Sequence, residues 1–171
     1  MNSENSIFSK DEVDLLNAAK MVLSDGVQRL KGRENLLPTN RSKRVDRKEC
    51  REAREALTDK LIADYGNLRY EVAVVVLIDA QGRLIDIRPF PRGKATHCEI
   101  SPRILAGFIL ECGASAVLLA HNHPSGEATP SQADVDFTMN IGPWLHAMDV
   151  DLLDHLVLNG AEASAIMGTW L

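Results

Sequence analysis

The sequence contains few of the residues that usually identify a function at first sight. Its three cysteines, Cys50, Cys98 and Cys112, form no C-x-x-C pair, which argues against a thiolate zinc site and against a disulfide framework. We therefore expect a reducing, cytoplasmic compartment. No apolar run approaches the length of a transmembrane helix, so we expect no membrane partner. The start, MNSENSIFSK, lacks the basic and apolar regions of a signal peptide.

Basic residues are scarce in the C-terminal part of the chain. Residues 95–171 contain Arg103 and nine acidic residues, whereas residues 1–94 have a net charge of +3. Such an acidic region is unfavourable for nucleic acid and suits a cation or a basic peptide, although solubility alone also explains it. At 171 residues and 45% hydrophobic content, the chain has the composition of one ordinary globular domain.

The basic residues concentrate in the segment Arg41–Arg54 of a predicted helix. One interpretation is a nucleic-acid patch. The other is a solvated helix face whose charges form i,i+4 pairs such as Lys48 with Glu52. No aromatic side chains lie between these charges, which favours the solvated face.

Hydrophobic periodicity predicts alternating helices and strands. An amphipathic helix is predicted from Ser9 to Leu30, and a second from about residue 42 to residue 64, ended by Gly66. The predicted strands are 71–78, 84–88, 96–100, 116–120 and 151–158. The predicted helices between them are 101–112 and 131–148, with a kink or break at Gly142-Pro143, and the tail 161–171 is predicted as a short helix and a terminal strand. This order indicates a mixed sheet with helices on its faces.

The most informative stretch is HNHPSG at residues 121–126, followed by Ser131 and Asp134. Because alternate side chains of an extended segment point the same way, His121 and His123 can aim at one point. Two imidazoles and a carboxylate form a three-ligand set that suits catalytic zinc. Asp134 has a competing interpretation, because Ser131-Gln132-Ala133-Asp134 is also a capping box. We expect Asp134 to act as a ligand and not to do both.

These motifs resemble the metal motif of the JAB1/MPN (JAMM) metalloprotease superfamily. The sequences HNHPSG and PSQAD, with Leu-Asp-His at 153–155, are most similar to its RadC branch. The resemblance implies a three-layer α/β/α fold with a mixed sheet, of the cytidine-deaminase-like type, preceded by N-terminal helices. We divide the chain accordingly into an N-terminal helical segment, residues 1–65, and a RadC-like domain, residues 66–171. The helix-hairpin-helix region that RadC proteins often carry has no obvious glycine signature in the first 65 residues.

The resemblance also implies a zinc-dependent metallohydrolase that cleaves a peptide or isopeptide bond, with Zn²⁺ on His121, His123 and Asp134. The glutamate of the family stands at the start of the first strand, where this chain has Glu71. Burial there would raise its pKa and suit it to acid–base catalysis, whereas an exposed strand-end carboxylate is the plainer alternative. Ser131 would donate a hydrogen bond to the substrate carbonyl oxygen. The alternative functions are a DNA-repair-associated or DNA-binding accessory protein and a catalytically inactive, metal-binding interaction module.

Other notable side chains have simpler interpretations. His155 is expected to be a core histidine, with a contact to the metal site as the alternative. His97 and Cys98 are expected to be strand residues without function. Trp144 and Trp170 are expected to pack in the core.

Overall fold

The computed structural model describes residues 47–91 and 100–171. The helices are α1 (Arg47–Leu61, continued by a π-helical turn Ile62–Gly66), α2 (Pro102–Cys112) and α3 (Gln132–His146), and the strands are β1 (Ala73–Ile78), β2 (Leu84–Pro89), β3 (Ala116–Asn122), β4 (Asp151–Leu158) and β5 (Ala163–Ala165). The predictions for the first helix, the start of the second, the strand near residue 96 and the His97–Cys98 pair lie outside the described residues.

The strands form one mixed sheet in the order β2-β1-β3-β4-β5. Strand β1 pairs antiparallel with β2 and β3, β3 runs parallel to β4, and β4 pairs antiparallel with β5. Every residue of β1 and β3 is buried, as their continuous apolar sequences require of central strands covered on both faces. The predicted mixed sheet and the β1–β2 hairpin are therefore confirmed.

Helices cover both faces of the sheet, because successive side chains of each strand point to opposite sides. Helix α1 and the C-terminal tail cover one face, and α2 and α3 cover the other. The first core contains Leu57, Leu61, Val74, Val76, Leu118, Leu156 and Trp170, and the second contains Val75, Leu77, Leu105, Ile109, Val117, Leu119, Ile141 and Leu145. The predicted three-layer α/β/α architecture is confirmed, while the domain boundary between residues 65 and 66 stays a prediction.

Helix α2 begins and ends where its sequence predicts. Ser101 is the N-cap, Pro102 occupies the first turn, and Gly113 ends the helix in the left-handed conformation at φ 65°. Proline suits the first turn because its missing N–H would have no partner there. Glycine suits the end because it adopts positive φ without a steric penalty.

Three local predictions were wrong. Strand β3 extends through Asn122, two residues beyond its predicted end. Helix α3 continues through Pro143, so of the predicted kink or break the break is wrong. Pro143 lies in the last part of the helix, so the hydrogen bond that it removes affects only one turn. The tail forms β5 and, within residues 161–171, no helix, because the buried carboxylate of Asp154 accepts hydrogen bonds from the backbone N–H groups of Met167, Thr169 and Trp170.

Candidate metal centre

The end of β3 and the start of α3 bring two imidazoles and a carboxylate together. The Nε2 atoms of His121 and His123 are 3.1 Å apart. Asp134 Oδ1 lies 3.3 Å from His121 Nε2, and Asp134 Oδ2 lies 3.5 Å from His123 Nε2. Zinc bonds of 2.0–2.1 Å at tetrahedral angles would separate ligand atoms by about 3.3–3.4 Å. The predicted convergence of the three groups is confirmed, and their spacing fits a zinc ion.

The hydrogen bonds of these groups favour a cation at their centre. His123 Nδ1 lies 3.1 Å from the Glu127 carbonyl oxygen, which can only accept, so Nδ1 must carry a proton. The Nε2 of His123 is then the nitrogen that can offer a lone pair, and it faces His121 Nε2 and the Asp134 carboxylate. Two imidazole nitrogens and a carboxylate, all of which can offer lone pairs, converge here. A cation between them, either a proton or a metal ion, is therefore needed to offset their mutual repulsion. A group of three such ligands is chemically suited to hold a metal.

We expected Asp134 to ligate the metal and not to cap α3 as well. The structure shows that Asp134 does cap α3 while its carboxylate faces both histidines, and its ligation of a metal stays a prediction. Oδ2 accepts hydrogen bonds from the backbone N–H of Ser131 at 2.8 Å and from its hydroxyl at 2.6 Å, which completes a capping box. Oδ1 faces His121. Burial alone would raise the pKa of Asp134, but hydrogen bonds from His121 and Ser131 outweigh it and hold the pKa well below its usual range.

Ser131 lies at the site but is engaged in the cap. Its hydroxyl donates to Asp134 Oδ2 and accepts from the backbone N–H of Asp134 at 3.2 Å. A serine hydroxyl has a single proton. It can therefore donate to a substrate only after it turns away from the carboxylate.

A cavity of about 590 Å³ opens beside the ligand atoms. It is lined by polar residues Glu71, Ser101, His121, His123, Ser131, Asp134 and His155, and by apolar residues Ala73, Ile100, Pro102, Ala133 and Phe137. Glu71 is half-buried and precedes β1 by two residues, so it does not begin the strand as predicted. All five predicted site residues therefore line one cavity.

Comparison with known proteins identifies the family of this chain. The model of the RadC-like JAB domain matches residues 51–168. The chain belongs to the RadC-like JAB domain family. The resemblance to the RadC branch, strongest in the sequence around residues 116–136, is thereby confirmed.

Relatives of this RadC-like domain occur in several bacteria. A UPF0758 protein of Polaromonas sp. is 34% identical over 91% of this chain and 76% of its own length. A UPF0758 protein of Vibrio cholerae is 39% identical over 62% of this chain and 68% of its own length. One from Shewanella piezotolerans is 40% identical over 61% of this chain and 46% of its own length. The matched region spans about half the length of the Shewanella piezotolerans relative and of several other relatives.

Asn122, which sequence reasoning passed over, joins the histidines of the RadC-like domain to the segment that carries Glu71. Its side chain is fully buried. The amide oxygen accepts a hydrogen bond from the Val72 N–H at 2.7 Å, and the amide nitrogen donates to the carbonyl oxygens of Leu68 and Tyr70 at 3.2 and 3.1 Å. The only sequence signal for this role was a polar residue between two candidate ligands.

His155 fulfils both interpretations of the sequence, because it is a core histidine and it contacts the candidate metal site. It is 2% exposed, as expected of a core histidine, and its Nε2 lies 2.9 Å from Nδ1 of His121. Its Nδ1 lies 2.7 Å from the hydroxyl of Thr138. Burial, together with the nearby His121, lowers the pKa of His155 to about 3. The ring is therefore neutral at physiological pH.

Side chains away from the cavity behave largely as predicted. Trp170 is buried and donates a hydrogen bond from Nε1 to Thr58 Oγ1 at 3.0 Å, and Trp144 packs against the second core. Lys48 pairs with Glu52 at 3.5 Å on α1, as the solvated-face interpretation predicts.

No helix in residues 47–91 and 100–171 has the length and apolar character needed to cross a bilayer.

Proposed function

We propose that this RadC-like domain is a zinc-dependent metallohydrolase that cleaves a peptide or isopeptide bond. The observation that carries the proposal is the convergence of His121, His123 and Asp134 on a cavity that Glu71 and Ser131 also line. These are the residue types that hydrolysis of an amide needs: metal ligands, a general base and a hydrogen-bond donor.

His121, His123 and Asp134 would hold the zinc, which when bound lowers the pKa of water to about 7 and polarises a carbonyl group. Glu71, half-buried at the cavity wall, accepts the proton of the attacking water and delivers it to the leaving amine. The hydroxyl of Ser131 donates to the carbonyl oxygen as negative charge develops there. One such donor contributes about 2.7–4 kcal/mol in other hydrolases.

The cap allows this role for Ser131. Its hydroxyl donates to Asp134 Oδ2, an oxygen that also accepts the Ser131 backbone N–H. The carboxylate therefore keeps one cap hydrogen bond when the hydroxyl turns to the substrate. This makes the change of partner inexpensive, because one hydrogen bond replaces another.

The alternative of a DNA-binding accessory protein has less support. In the described part of the basic segment, Lys48 and Arg51 form ion pairs with Glu52 and Glu55, and Arg54 stacks over the Trp170 ring. The positive charges of these side chains thus have partners within the protein, which leaves them less available to a phosphate backbone. The remaining alternative, an inactive metal-binding module, predicts zinc without turnover.

Metal analysis combined with a cleavage assay tests the proposal. The purified chain should contain stoichiometric zinc, and His123→Ala and Asp134→Ala should lose it. Incubation with peptide libraries and isopeptide-linked proteins, followed by mass spectrometry, should detect cleavage by the wild type. Glu71→Gln should retain zinc and lose about 10²–10⁴-fold in rate.

Glu127→Gln is the matched control, because it makes the same change of charge on an exposed residue beside the site. It should keep both zinc and cleavage. A wild-type protein that carries no zinc under conditions that retain it would refute the proposal. If the protein binds zinc but cleaves no substrate, and if Glu71→Gln leaves its biological function unchanged, the inactive module would be favoured.

A further inference from the structure

We propose that His155 and Thr138 are positioning residues that fix a proton on Nδ1 of His121, so that its Nε2 is always the nitrogen available to metal. This inference rests on the proposed metal site. It concerns the order of protons along a buried row of hydrogen bonds, which runs from the Asp134 backbone carbonyl through Thr138 and His155 to His121.

The two histidine ligands are held by different kinds of partner. His123 Nδ1 contacts the carbonyl oxygen of Glu127, which accepts only and so determines the tautomer by itself. The partner of His121 Nδ1 is Nε2 of His155, and a histidine nitrogen can either donate or accept. The contact between the two rings therefore leaves the tautomer of His121 undecided, and a third group has to fix it.

Thr138 is the third group, and it fixes the tautomer. Its hydroxyl lies 2.6 Å from the backbone carbonyl oxygen of Asp134, which can only accept, so the single hydroxyl proton points to the carbonyl. Toward His155 Nδ1, 2.7 Å away, the hydroxyl can then only accept. Nδ1 of His155 must carry a proton.

Burial completes the argument. His155 is 2% exposed, and burial disfavours a charged imidazole, so the ring carries one proton and its Nε2 has a lone pair. That lone pair accepts the hydrogen bond from His121 Nδ1. His121 thus keeps its Nδ1 proton, and its Nε2 is the nitrogen whose lone pair a metal ion would use.

The row begins and ends at the same site. Asp134 offers a side-chain oxygen to the ion, and its backbone carbonyl orders the protons that prepare His121. Residues 134 and 138 are one turn apart on α3, so helical geometry holds the carbonyl and the hydroxyl together. Partners that orient metal ligands in this way typically contribute 10–100-fold to metal affinity.

The test compares Thr138→Val with Thr138→Ser. Valine keeps the shape of threonine but removes the acceptor, whereas serine retains the hydroxyl. Protein labelled with ¹⁵N-histidine and freed of metal reports which ring nitrogens carry protons. In the wild type and Thr138→Ser, we expect His121 and His155 each to be protonated at Nδ1. In Thr138→Val we expect a mixture of tautomers for both rings and a 10–100-fold loss of zinc affinity in chelator competition.

A purely structural role for Thr138 would have a different signature. Thr138→Val would then lower the melting temperature while leaving the tautomers and the zinc affinity as in Thr138→Ser, and this result would overturn the inference. If the wild type binds no zinc, the proposed function fails, but the tautomers of the metal-free protein still decide the proton order.

A second pair of variants covers the case in which Thr138→Val does not fold. His155→Gln offers an amide oxygen that can accept from His121 Nδ1, and His155→Phe offers no acceptor. We expect His155→Gln to retain more zinc affinity and more Nδ1 protonation of His121 than His155→Phe. Equal behaviour of these two variants would overturn the inference.

Discussion

Replacing Asn122 with alanine should destabilise the fold and release the segment before β1. The substitution leaves the buried N–H of Val72 without its acceptor, which costs about 1–3 kcal/mol. The carbonyl groups of Leu68 and Tyr70 each lose a donor, at about 0.5–1.5 kcal/mol apiece. The expected loss in the free energy of unfolding is therefore about 2–6 kcal/mol, a large share of the total for a domain of this size.

Urea unfolding of the metal-free protein measures this loss, and hydrogen exchange locates it. The Val72 amide should exchange faster in Asn122→Ala, because its hydrogen bond at 2.7 Å is removed. Asn140→Ala is the control: its side chain donates one hydrogen bond to a backbone carbonyl on the exposed side of α3, and we expect a change within about 0.5 kcal/mol. A loss below about 1 kcal/mol in Asn122→Ala, with unchanged exchange at Val72, would refute the reasoning.

Three further predictions concern stability. Asp154→Asn should lower the free energy of unfolding by about 2–6 kcal/mol in urea titrations, because either orientation of the amide turns its NH₂ toward at least two donors that now bind carboxylate; a loss under 1 kcal/mol would contradict this. The neutral His155 resists protonation in the fold down to about pH 3, whereas the unfolded chain takes up the proton below about pH 6.5. As the pH falls through this window, the free energy of unfolding of the metal-free wild type should therefore decrease by about 1.4 kcal/mol more per pH unit than that of His155→Gln. Parallel pH profiles of the two proteins would contradict this prediction. Gly66→Ala should lower the melting temperature markedly, because the new Cβ would lie 2.1 Å from the backbone oxygen of Asn159, whereas Gly107→Ala, with open space around the new Cβ, should not.

The strand pattern and the family motif were sufficient to predict much of the site. His121 and His123 share a face because they alternate along one extended segment, and that inference needs only backbone geometry. Asp134 was assigned correctly to the site but incorrectly as an exclusive choice. The sequence gives one letter for the residue, whereas a carboxylate has two oxygens, so it can complete a helix cap and still face the two histidines.

The remaining features depend on contacts between distant parts of the chain. Thr138 looks like an ordinary helix residue until the fold brings it against His155. The tail was expected to contain a short helix, and its own sequence does not reveal that Asp154 holds three of its amides. The adjacent polar residues Asp154 and His155 in the middle of strand 151–158 were the available signal, and strand alternation would have assigned one to each face.

The sheet also separates two regions that can be studied independently. Helix α1 and the tail pack on one face, whereas the imidazoles and α3 lie on the other. A fluorescent label at Lys48, whose side chain is 72% exposed on α1, would sit behind this wall and outside the cavity. Its signal would report loss of the fold, and the label itself would leave the cavity open to an ion.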